Sequence, residues 1–169
     1  MANQTTDGKT AESSRPLYNQ GEARQVVQAI VGVEATWNDA DTCILAYNLP
    51  INTIVSRINL PSGSPAITGA TDYDIGFYKP ADADGQGLGD ALDADALVDG
   101  ASFTSARTSA IDLLGKNVSG FDKTETIGEI LGLTSETAPA GGVHLVLTLN
   151  TAGSAAGDID FDIELSMAH

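Results

Sequence analysis

From Arg24 onward, apolar and polar residues alternate with a period of two along most of this chain. Val27, Ala29, Val31, Val33, Ala35 and Trp37 hold the odd positions, with Gln28, Glu34 and Thr36 between them. Cys43, Leu45, Tyr47 and Leu49 repeat the pattern before Pro50. Ile54, Ile58 and Leu60 take one phase and Arg57 and Asn59 the other before Pro61. Tyr73, Ile75 and Phe77 alternate with Asp72, Asp74 and Gly76 up to Pro80. Val143, Leu145, Leu147 and Leu149 alternate with His144, Val146 and Thr148. The last run sets Ile159, Phe161, Ile163, Leu165 and Met167 against Asp158, Asp160, Asp162, Glu164 and Ser166. Such alternation predicts strands with one face in a core and one face outward. The prolines fall at strand ends, where a missing N–H costs least. The expected fold is all-β, a single antiparallel sandwich or jelly roll over residues 22–169. Its core should include Val31, Val33, Leu45, Ile58, Ile75, Phe77, Leu145, Leu147, Phe161, Ile163 and Leu165.

Residues 81–141 are less regular. Positions 82–90 read as a loop, 90–98 as a short helix, and 102–114 as room for another strand or two. Thr126 and Glu129 have capping-box spacing, Ile127, Ile130 and Leu131 share a helical face, and Gly132 is a stop. A short helix over residues 124–131 follows. Residues 1–21 differ from everything after them, being polar, with Leu17 and Tyr18 as their large apolar side chains. Such a segment buries too little to offset its own ordering. It reads as a flexible N-terminal arm that orders only against a partner, with Pro16, Leu17 and Tyr18 as anchors.

Charge narrows the function. Lys and Arg total 8 and Asp and Glu 23, a formal net charge of −15 in 169 residues. Nucleic-acid binding draws its affinity from cations that neutralise phosphates, so nucleic acid is a poor partner for this chain. A polybasic membrane anchor is excluded in the same way. The polar start lacks the apolar segment of a signal peptide, so synthesis in the cytoplasm is expected. With one cysteine, Cys43, no intrachain disulfide forms.

Candidate chemistry is sparse, and neither catalytic residues nor a cofactor is expected. His144 lies on the outward phase of its strand and reads as a surface histidine. Cys43 lies on the apolar phase, where thiols are usually inert. Asp82, Asp84, Gln86, Gly87, Asp90 and Asp93 have the spacing of positions 1, 3, 5, 6, 9 and 12 in a calcium loop. Asp at position 12 and the absence of an entering helix depart from that pattern, and a solvated acidic loop is the simpler reading. Asp158, Asp160, Asp162 and Glu164 form a row of carboxylates about 6.7 Å apart on one strand. That row reads as a solvated face that blocks unwanted pairing, or as a surface for a basic partner.

Several phrases carry a resemblance. They are AsnLeuProIleAsnThrIleVal (48–55), ThrAspTyrAspIleGlyPheTyrLysPro (71–80), LeuValAspGlyAlaSer (97–102), ThrIleGlyGluIleLeuGlyLeu (126–133) and GlyAspIleAspPheAspIleGlu (157–164). Together they resemble small structural proteins of tailed bacteriophages, among them the capsid decoration, or cement, proteins. The resemblance spans roughly residues 24–167 and rests on strand phrases rather than chemical signatures. It implies a non-enzymatic virion protein on the outer capsid surface. The partners it implies are the major capsid protein and the chain itself, as a homotrimer. The second faces of the strands at 26–30 and 44–46 remain partly apolar and are candidates for that self-contact. The alternative is a receptor- or carbohydrate-binding adhesin, or a tail-associated module, on the same sandwich.

Overall fold

The computed structural model describes residues 24–63 and 65–168. Among these are eight strands and one helix: β1 (Arg24–Val33), β2 (Thr42–Leu49), β3 (Thr53–Leu60), β4 (Asp72–Pro80), β5 (Leu88–Ala101), β6 (Ile111–Asp112), α1 (Ile127–Leu131), β7 (Val143–Thr151) and β8 (Gly157–Met167). The proposed arm, with Pro16, Leu17 and Tyr18, lies outside the described residues.

The strands form two four-stranded antiparallel sheets, ordered β1-β8-β3-β6 and β2-β7-β4-β5. First pairs with last, second with seventh, third with sixth and fourth with fifth. This nesting is the jelly-roll form of the sandwich. All of the expected core residues are buried between the sheets. At the centre, Phe103 meets Phe161 edge-on at 6.3 Å and Tyr73 at 5.2 Å between ring centroids. The helix has the capping box read from its sequence. The Thr126 hydroxyl accepts the Glu129 N–H at 3.2 Å, the Glu129 carboxylate accepts the Thr126 N–H at 2.8 Å, and Gly132 closes the helix at φ 63°. Those bonds from Thr126 hold the Glu129 carboxyl below its ordinary range.

The structure corrects the sequence reading in several places. Residues 90–98 belong to β5 and are not helical. β5 follows β4 through repeated register shifts, and that irregularity hides its alternation. A shift in β3 between Val55 and Arg57 buries Val55 and leaves Ile54 only partly covered, opposite to the assigned phase. Irregularities in β2 carry Tyr47 out of the core to the outer face of its sheet. β1 stops at Val33, and Trp37 is buried from a turn closed by its N–H to the Glu34 carbonyl at 3.0 Å.

The two outer faces of the sandwich are unlike. On the β2-β7-β4-β5 sheet, Ile44, Tyr78 and Val146 form a second apolar cluster with Tyr47, Leu88 and Ala94 packed on it. Ile44 and Ala46 are therefore not available for self-contact, contrary to the expectation from their phase. β5 supplies part of the cover: Leu88 and Ala94 pack on the cluster, and a side chain at Gly76 on β4 would overlap the backbone of Asp93 and Ala94. Among the described residues no such cover lies over Val26 and Ile30 on the outer face of the β1-β8-β3-β6 sheet, and they are 56% and 47% exposed.

Candidate interaction site

His144 shows how far outward phase and exposure part company. It is fully buried, which corrects the reading of a surface histidine. Its ring meets Tyr47 edge-on, with centroids 5.3 Å apart. Nδ1 accepts the Asn48 N–H at 3.1 Å, so the proton sits on Nε2, which donates to the Gly87 carbonyl at 3.0 Å. With its amide nitrogen turned toward them, Asn48 donates to the carbonyls of Gly85 (2.9 Å) and Gly141 (3.3 Å). One histidine and one asparagine thus tie the β4–β5 turn to the ends of β2 and β7. The role is structural, since both ring nitrogens are committed.

Burial holds the His144 imidazole below its ordinary value near 6.5. As pH falls, the unfolded chain takes up this proton first. Stability from this site is therefore full above about pH 6.5 and declines below it until folded His144 also titrates. The unfolding midpoint of the wild type should fall between about pH 7.5 and pH 5.5. In His144→Gln that part of the pH dependence should vanish, and equal slopes in both proteins would contradict this assignment.

The four aspartates with calcium-loop spacing are spread along the β4–β5 hairpin. The Asp82 carboxylate accepts the N–H groups of Asp84 (3.1 Å) and Gln86 (2.8 Å), which folds the turn. Asp90 pairs with Lys79 at 3.0 Å, and Asp93 sits opposite Phe77 in the ladder. Among the described residues no three metal-type ligands converge.

A cavity of about 410 Å³ opens beside β5 and α1, lined by Asp93, Asp95, Asp99, Phe121, Glu125 and Glu129 among others. Burial raises the Asp93 carboxyl above its usual range, and the adjacent Asp95 carboxyl pushes it the same way. No histidine or cysteine lines this cavity. The thiol of Cys43 lies elsewhere, buried at 3% exposure in the core.

The acidic row read from the sequence is a real surface. It runs along β8, which is flanked on both sides. Asp158, Asp160, Asp162 and Glu164 stand opposite Gly32, Ile30, Gln28 and Val26 of β1. On the other flank Glu164 faces Arg57 and Asp162 faces Asn59 of β3. Gln28 donates to Asp162 at 3.2 Å and Arg57 pairs with Glu164 at 3.9 Å. The row is thus only partly compensated within its own chain. The patch pairs carboxylates with two exposed aliphatic side chains, a combination that no reading of β8 alone reveals. The signal lay in the off-phase Val26 and Ile30 of β1.

No protein-family model and no curated protein matches the sequence. Among solved structures, the chain is similar to a chain of the cyanophage Pam1 capsid asymmetric unit. The two share 18% identity over 98% of this chain and 99% of that one, with a TM-score of 0.51. No helix among the described residues is long and apolar enough to cross a membrane. At this identity the likeness is one of fold.

Proposed function

We propose that this chain is a non-enzymatic virion structural protein that binds the outer surface of a tailed-phage capsid and braces the shell by bridging major capsid subunits. The observation that carries the reading is the match of a whole jelly roll, nearly end to end, to a chain from a phage capsid asymmetric unit. The strand phrases from 48 to 164 support the same reading through their resemblance to decoration proteins. A homotrimer suits this role, because seating on a threefold axis repeats one weak contact three times and gains avidity. An acidic surface keeps many copies soluble before assembly. On this proposal the arm, with Pro16, Leu17 and Tyr18, reaches a neighbouring subunit, and Asp82, Asp84, Asp90 and Asp93 hold no metal.

Jelly rolls also serve as lectins, so the fold does not choose by itself. A sugar-binding adhesin commonly offers exposed aromatic rings. Among the described residues every aromatic side chain is buried or half-buried, which supports the capsid reading. Purified protein titrated onto expanded capsids should bind to a saturable ratio and raise their resistance to heat. Binding to cell-surface glycans with no uptake by capsids would replace this reading with the adhesin.

A further inference from the structure

We infer that the outer face of the β1-β8-β3-β6 sheet, with Asp160 and Asp162 on β8 and Val26 and Ile30 on the edge strand β1, is the surface that docks, and that its partner is a basic protein surface with an apolar flank. This rests on the capsid-binding reading and deepens it by naming the contact and the chemistry it selects.

The opposite face is closed. Ile44, Val146 and His144 on that side are buried, and the backbone of β5 at Asp93 and Ala94 leaves Gly76 no room for a side chain. Among the described residues, the β1-β8-β3-β6 face is the broad side of the sandwich left open to a docking partner. Val26 and Ile30 are the large aliphatic residues exposed among those described. They stand two ladder positions either side of Gln28 on one face of β1, each directly opposite a carboxylate of β8. Over β1, β8 and β3 the patch measures about 14 Å by 30 Å. That is smaller than one partner's share of a standard interface, about 800 Å². A single copy therefore binds weakly, which is the situation in which a multivalent array gains most.

Charge selects the occupant. A second copy of this chain carries the same net charge of −15. Four of its eight Lys and Arg, namely Arg57, Lys79, Arg107 and Lys116, are already engaged with oxygens of their own chain. Another copy would therefore bring more anions than cations to the carboxylate row, and like charges facing each other are costly. A basic partner instead neutralises Asp158, Asp160 and Asp162, and its apolar flank covers Val26 and Ile30 on the edge strand. The acidic row then steers encounter and the aliphatic pair supplies area to bury.

The test compares capsid binding by the full-length wild type, by Asp160→Asn/Asp162→Asn and by Val26→Ser/Ile30→Ser, at low and high salt. All of these side chains point away from the core, so circular dichroism and the melting temperature should be unchanged, confirming folded proteins. Each double variant is expected to bind about tenfold more weakly, the scale of one or two lost contacts. The wild type, but not Asp160→Asn/Asp162→Asn, should lose affinity steeply with salt. Wild-type binding that both variants reproduce would overturn this inference and leave the capsid reading intact. No wild-type binding to capsids would overturn the reading and the inference with it. Dissociation of a self-assembled oligomer by Val26→Ser/Ile30→Ser, with capsid affinity per chain retained, would make the face a self-contact and overturn the inference as well.

Discussion

Replacing Phe161 with alanine should destabilise the protein by about 3–5 kcal/mol, the range for buried aromatics truncated in cores. Phe161 is 1% exposed and sits on β8, the strand gripped by β1 on one side and β3 on the other. Its ring closes an aromatic chain through Phe103 to Tyr73, which belongs to the opposite sheet. The void left by truncation would lie between the two sheets, where neither can collapse without breaking its own ladder. Asp160, one residue earlier, faces outward and should cost less than about 0.5 kcal/mol when changed to alanine. Denaturant unfolding of both variants checks the pair. Equal losses would show that the phase of β8 is wrong, and with it the placement of the acidic row.

Gly76→Ala should cost on the order of 3 kcal/mol, at the upper end for overpacking. The groups that an added Cβ would strike are the Asp93 carbonyl oxygen and the backbone of Ala94. Backbone cannot swing aside as a long side chain can, so β5 must lift from β4 or the variant must unfold. Hydrogen exchange should therefore accelerate in β5 more than in β8. A variant with wild-type stability and unaltered β5 protection would contradict the tight cover described for this face.

These two positions also mark what was legible in the chain. Where a strand is regular, as in β8 with its unbroken pairing to β1, the period of two reports burial residue by residue. Phe161 and Asp160 were readable on that basis. Where a ladder slips, phase inverts, and nothing in ThrIleValSerArg announces that Val55 rather than Ile54 turns inward. β5 slips repeatedly, and its run of Ala, Leu and Asp then resembles a helix more than a strand. His144 failed for another reason. Alternation says which sheet face a side chain takes, but not whether something covers that face. The cover over His144 comes from Gly87, 57 residues away. A hint was present in Ile44 to Ala46 and in Val146, apolar on both phases, as strands buried on two sides are. Of the interaction patch, the acidic row was plain in the sequence. Its pairing with Val26 and Ile30 required the register between the first and last strands, which joins residues 134 apart.

Imaging virions assembled with and without the protein tests the proposed place of this jelly roll in a phage shell. Cryo-electron microscopy should show density of sandwich size at fixed, symmetry-related sites on the outer capsid surface, present only when the protein is supplied. Bare shells in both preparations, with the protein found on the tail, would contradict it.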